Sequence, residues 1–392
     1  MWPLMLLLAA LASVATPARA DDEIVATTSE ERLPEKDAGR EGLVMVKRSL
    51  MLGNVAFRYQ QLVDPKQNDQ PLNQRYADYI LGCEFPRYSW NWDLQYFLEA
   101  TVARPDEKPF NANRALLQEG ISILQQGKRG VADMVWPLPA SATRPQPGRL
   151  AVRFVKLPDE PTWLYLRVSI EGEPDTKLTQ VQLSSYPTVT SGPPERQRWA
   201  ATLTRAMQMD KPVPLDPAEE WAIVMHNRYA HEEGGSILVM DPEQIVSGDI
   251  GGVYPISVRM QTRPLSAATF AMGYFWDTPY DRAIAAFQPT APDRLKRLRA
   301  MDWSVPVDLA RWERLQADVT EVLALAGAHA GDRAAEWPPL QAEMKQTAVA
   351  LQEPNADPAL YRRFVQLGRQ ADELKAALYE PALQALIKQA TQ

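Results

Sequence analysis

The hydrophobic period of this chain changes near residue 290, and no other feature restricts its fold as much. Before that point apolar side chains alternate with polar ones, as in Trp163-Leu164-Tyr165-Leu166-Arg167-Val168-Ser169-Ile170, where Leu164, Leu166, Val168 and Ile170 form one aliphatic face. Beyond it they return every three or four residues, as in Leu360, Phe364, Leu367, Ala371, Leu374 and Leu378. A period of two buries one face of a pleated strand, and a period near 3.5 packs helices along a seam. The pattern predicts a mainly β chain with an α tail. A large antiparallel β-sandwich or supersandwich over residues 42–290 precedes an antiparallel helical bundle over 291–392.

Strand-like segments run from Val44 to Tyr274, punctuated by turn chemistry at Gly53-Asn54, Gly127 to Gly130, Gly172 to Asp175, Gly192-Pro193-Pro194, Gly234-Gly235 and Gly251-Gly252. No helical crossover pattern separates them, which argues for antiparallel sheets over an α/β fold. A Pro-rich stretch, 137–148, divides the body. It reads as a long loop within one sandwich in preference to a linker between two, because the first half holds too few strands. Asp249, in Ser247-Gly248-Asp249-Ile250-Gly251-Gly252, reads as a turn residue. In the tail, helices are expected over Val307 to Ala326, from Pro338-Pro339 onward, and from Asp357 or Pro358, with Pro381 kinking or interrupting the last. Their short connections favour an intramolecular bundle.

The N-terminus points to export. Leu4 to Ala15 is an almost unbroken apolar run, too short to span a bilayer, followed by Pro17 and by Ala18-Arg19-Ala20, a small-x-small cleavage site. Residues 1–20 therefore read as a signal peptide, although no Lys or Arg precedes the apolar run, and residues 21–41 as a polar, flexible segment. No later run is long enough to span a membrane. Cys83 is the only cysteine, and no Asn-x-Ser/Thr sequon occurs. An exported chain with neither disulfide nor sequon suits a bacterial periplasmic or extracellular protein. Without Arg19 there remain 49 acidic against 41 basic residues, a net charge of −8. That balance disfavours nucleic acid and, after signal cleavage, anionic membrane as partners.

Two clusters could carry chemistry. The first is His226-Asn227-Arg228-Tyr229-Ala230-His231-Glu232-Glu233, which holds two of the 3 histidines. His226, Arg228, Tyr229 and His231 supply what an enzyme needs to neutralise a uronate carboxylate and move a proton beside it. The bland reading is a polar hairpin loop whose first histidine ends a strand. The His-x4-His spacing on a strand points to opposite faces and does not make a zinc site. The second cluster is aromatic. Trp90 and Trp92 share a strand face, and Trp163, Tyr165 and Arg167 occupy the face opposite the aliphatic one. Flat rings stack on the C–H faces of sugars, and planar polar groups bond their hydroxyls. The competing reading is that a second layer, such as the helical tail, covers those rings. Asp93 and Glu99 lie about 20 Å apart by strand rise, too far for a glycosidase pair. No nucleotide, hydrolase or calcium-loop motif occurs, and no cofactor is indicated.

At fold level the pattern resembles galactose-mutarotase-like supersandwiches, where Ser184-Ser185-Tyr186-Pro187 stands in place of a His-Pro-Tyr-Phe segment and lacks its histidine. This resemblance implies carbohydrate handling only by analogy. The leading expectation is an exported protein binding or processing a polysaccharide or oligosaccharide through its β body. A scaffold contacting a protein partner through the tail is the alternative, and a lyase or epimerase working through residues 226–233 is a special case of the first.

Overall fold

The computed structural model describes residues 23–34, 40–71, 79–84, 98–105, 107–113, 121–185, 198–209, 211–227, 235–252, 256–275, 278–353 and 356–391. These form three antiparallel sheets followed by a helical region. A five-stranded sheet comes first: β1 (Ala26–Pro34), β2 (Val44–Leu52), β3 (Val55–Asp64) and β4 (Gln70–Pro71) in order, with β5 (Tyr79–Glu84) also pairing β3. Leu52 faces Val55 across a two-residue turn in which Gly53 takes φ 60°, a left-handed value that favours glycine. Strand β1 lies within the segment expected to be flexible. Its side chains are mostly exposed, so it is held by backbone pairing to β2 and by cross-strand contacts such as Arg48 to Glu30 at 2.6 Å and Ser29 to Ser49 at 2.7 Å.

The two larger sheets share one core. The six-stranded sheet comprises β6 (Leu98–Ala103), β7 (Phe110–Asn111), β12 (Lys177–Ser185), β15 (Val213–Leu215), β18 (Ile245–Gly251) and β19 (Ile256–Leu265). The nine-stranded sheet comprises β8 (Ile121–Gln125), β9 (Gly130–Pro137), β10 (Arg149–Lys156), β11 (Trp163–Glu171), β13 (Arg198–Ala201), β14 (Ala206–Gln208), β16 (Ala222–Asn227), β17 (Gly235–Met240) and β20 (Ala267–Phe275). Leu164, Leu166 and Val168 of β11 belong to the same cluster as Val181 and Leu183 of β12 and Val258 and Met260 of β19. Each such fully buried side chain contributes on the order of 1.5–3 kcal/mol of transfer free energy. The Pro-rich stretch 137–148 joins β9 to its neighbour β10 within one sheet, closed by Leu138 N–H donating to Gly148 O at 3.0 Å. Asp249 is a strand residue, opposite Arg259 and paired with it at 2.7 Å.

The helices begin about ten residues before the expected seam. They are α1 (Tyr280–Phe287), α2 (Ala291–Arg299), α3 (Leu309–Ala326), α4 (Arg333–Ala350) and α5 (Pro358–Ala390). Tyr280, Ala283 and Phe287 give α1 a buried face at helical spacing, which strand-like neighbours mask in the sequence. With α2 they cover the outer face of the nine-stranded sheet, packing on Val224, Ile237, Val239 and Ala271. Strand β17 is therefore buried on both faces, as is β9, whose outer-face Asp133 meets Arg362 of α5, and their alternation disappears. Helices α3, α4 and α5 share a third core through Trp312, Val319, Met344, Leu367 and Leu378. Asp308 and Asp357 cap α3 and α5 through the Arg311 and Ala359 N–H groups. Helix α4 starts a turn ahead of Pro338-Pro339, where buried Trp337 anchors it by donating to Thr320 Oγ1 at 3.2 Å. Helix α5 continues through Pro381 to Ala390.

Candidate functional site

Strand ends from both larger sheets meet at one edge. Arg198 of β13 stands opposite Asn227 of β16, His226 opposite Gly235 of β17, and Gly235 opposite Phe275 of β20. In the other sheet Ser185, the last residue of β12, stands opposite Ile256, and Leu183 opposite Leu98, the first residue of β6. The Ser185 hydroxyl donates to Ser236 Oγ at 2.6 Å in the protein interior and ties the two edges together. These ends flank residues 85–97, 186–197, 228–234, 253–255 and 276–277. Five sequence-predicted site residues, Trp90, Trp92, Arg228, Tyr229 and His231, therefore lie outside the described residues, as does Asp93.

The described side chains make this edge polar where the rest of the core cluster is apolar. Ser185 and Ser236 continue the inward rows begun by Leu183 and Leu238, and Tyr274 stands opposite Ser236. Ser184 pairs with Ser257 at 2.9 Å on the other face. Lys156 ends β10 at the same edge, buried, with its ammonium donating to Glu160 O at 2.6 Å and Trp163 O at 3.0 Å. Lys156, Ser185, Ser236, Tyr274 and His226 all have partners. The Ser185 and Ser236 hydroxyls at this edge can bind the polar groups of a ligand entering there.

His226 is a wall of this edge and not an open acid or base. It is 0% exposed, and Nε2 lies 2.7 Å from Thr278 O. A carbonyl only accepts, so Nε2 carries the hydrogen in this contact. Tyr280 of α1 meets the ring edge-on at 5.8 Å. From the other side Gly235 allows it to lie flat, since a Cβ there would come within 2.7 Å of His226 Cδ2. His226 lies at the end of a strand, as its sequence context suggests, and α1 closes over that strand.

Trp163 and Tyr165 do not form an open platform. Trp163 is 6% exposed and Tyr165 0%. The indole lies over Gly273, its register partner, where a Cβ would come within 2.9 Å. Phe287 of α1 covers it at 6.1 Å, and the Arg294 guanidinium of α2 stacks on it at 4.6 Å. Tyr165 donates to Glu160, which pairs with Arg294 at 2.6 Å. Burial, followed by the Glu160 carboxylate, pushes the Tyr165 phenol well above its usual range. The face opposite the aliphatic one thus docks helices. Arg167 of the same row escapes this cover and lines a small cavity with Asp133, Arg153 and Glu171.

A separate groove of about 600 Å³ runs between β8, residues 305–308, α3 and α5, lined by Trp312, Phe364, Arg311 and Arg369 among others. None of the sequence-predicted site residues lines it. Among the described residues no three His, Cys, Asp or Glu side chains gather as a metal site would need, and no helix is long and apolar enough to cross a membrane. Sequence reasoning missed Lys156 and the Arg294–Glu160 pair. Lys156, after Phe154-Val155, falls on the inward row of its strand, a weak signal that was available. No family model matches the chain, and no curated protein shows significant similarity to it.

Proposed function

We propose that the protein is exported and binds or processes a carbohydrate at the strand-end edge beside Ser185, Ser236 and Lys156. One observation carries the reading. Strand register within each sheet, and the Ser185–Ser236 hydrogen bond between the sheets, bring the flanks of 228–234 and Leu98, the residue after 85–97, to a single edge, although the two segments are more than 130 residues apart. In this reading Trp90 and Trp92 stack on sugar rings. Arg228 neutralises a carboxylate on the ligand, and Tyr229 and His231 hydrogen-bond it or, in a lyase or epimerase, move a proton. The shared core supports a single supersandwich formed by the two larger sheets, and the packing of α5 on α3 and α4 supports an antiparallel bundle beside it. Export rests on residues 1–20, whose apolar run and Ala18-Arg19-Ala20 suit a periplasmic or extracellular protein.

Retention of the mature chain on polysaccharide affinity gels tests the proposal, with Trp90→Ala/Trp92→Ala as the control. Retention that this variant loses supports it, and no retention on any acidic or neutral polysaccharide opposes it. For turnover, His231→Ala is the informative change, because His226→Ala also opens a buried site.

A second reading, a scaffold that meets a protein partner, draws on one feature. Tyr379, Leu383, Leu386 and Ile387 are exposed along the C-terminal part of α5. A gel-filtration mass above that of the monomer, reduced by Leu383→Glu, would favour it.

A further inference from the structure

Asp133, Arg153, Arg167 and Glu171 line a cavity of about 130 Å³ on the outer face of the nine-stranded sheet, beside the first turn of α5 at Pro358. Arg153 spans both oxygens of Asp133 at 2.8 Å, and its Nη1 donates to Trp303 O at 2.7 Å. Arg362 of α5 reaches the same group, at 3.1 Å from Asp133 and 2.6 Å from Glu171. Asp133, Glu171 and Arg362 are 1%, 8% and 2% exposed. Three guanidiniums thus meet two carboxylates, an excess of one positive charge.

The excess resides on Arg167. It stands opposite Arg153 in the register of β10 and β11, a like-charge pairing that costs stability. Among the described residues it makes no hydrogen bond or ion pair, whereas the other four charges are all matched. Burial, and then the charge of Arg153, hold its guanidinium below the usual range. Arg167 is half-buried, so its unpaired charge is only partly hydrated. Ser169, whose hydroxyl donates to Ala151 O at 3.4 Å, and Ser266 line the same cavity.

We propose that this cavity binds one small monoanionic carboxylate, held by the Arg167 guanidinium. A single negative charge neutralises the cluster, whereas a dianion overshoots it. The planar two-oxygen group matches the guanidinium fork. The volume equals only a few water molecules at about 30 Å³ each. That admits acetate or the carboxylate end of a larger ligand and excludes a sugar ring, so the site is distinct from the glycan edge.

The test is thermal unfolding of the mature protein in sodium acetate against sodium chloride at constant ionic strength, for wild type, Arg167→Gln and Arg167→Lys. Expected is a saturable rise in Tm with acetate, which Arg167→Gln loses and Arg167→Lys keeps with affinity about tenfold weaker. Arg167 holds no structural bond among the described residues, so Arg167→Gln should unfold in chloride at the wild-type temperature or above. An equal acetate response in wild type and Arg167→Gln overturns the assignment, as does no response in wild type. A stronger response to sulfate than to acetate overturns the monoanion.

Discussion

Arg362→Met probes how the helical tail is fixed to the β body. Arg362 is 2% exposed and reaches from α5 to Asp133 at 3.1 Å and to Glu171 at 2.6 Å. Removing it leaves Glu171 buried with no described cation in hydrogen-bond range, while Asp133 keeps both bonds from Arg153. Loss of one partner from a buried pair costs about 3–5 kcal/mol, because the remaining charge is stranded away from water. Since only one of the two carboxylates is stranded, the lower figure of about 3 kcal/mol applies. Urea denaturation followed by tryptophan fluorescence reads it as a lower midpoint at unchanged slope. Arg362→Met/Glu171→Gln removes the stranded charge as well. It should unfold later than Arg362→Met alone, with a coupling of roughly 1 kcal/mol or more. A loss below about 1 kcal/mol, or a double variant that loses the sum of the singles, would refute the stranded-charge reasoning.

Gly235→Ala should destabilise by about 1–3 kcal/mol through overpacking, because the new Cβ meets His226 Cδ2 at 2.7 Å and Met225 O at 3.2 Å; thermal melts read it directly. Trp163→Ala should cost about 3–5 kcal/mol by leaving a cavity under α1 and α2, with no selective loss of glycan retention. Glu173 governs part of the acid limb. Its burial would raise its pKa, but Arg104 at 2.9 Å, Thr176 at 2.5 Å and Gly148 N–H at 2.7 Å outweigh that and hold it below the usual 4.5. The unfolded chain therefore takes up the proton first as pH falls. The stabilisation is full above pH 4.5 and disappears as pH drops through the lowered folded value. Glu173→Gln should melt lower than wild type at pH 7, with the gap narrowing below pH 4.5.

Strand β11 and the stripe of α5 were legible because each repeats a local period that packing requires. The cover on Trp163 and Tyr165 was not. Alternation reveals that a strand has a second face, but the partner of that face, Phe287 and Arg294, lies more than 120 residues on. Strand β1 was missed for another reason. Its stability comes from backbone pairing and polar cross-strand contacts, which leave no hydrophobic pattern to read. The Asp133–Arg153–Arg362–Glu171 cluster joins three strands and a helix across 229 residues, and nothing in any one segment announces it. Within the candidate site, residue types pointed to 226–233 and to Trp90 and Trp92 separately. Only the paired strand ends that flank them, tied across the two sheets by Ser185 and Ser236, suggest a relation.

Whether those two segments form one site is best measured by a double-mutant cycle on glycan affinity, using Trp92→Ala, Tyr229→Ala and the pair on the polysaccharide that retains the wild type best. A shared site predicts that each single change weakens retention and that the two couple by at least about 0.5 kcal/mol. Full additivity, or retention untouched by either change, would contradict it.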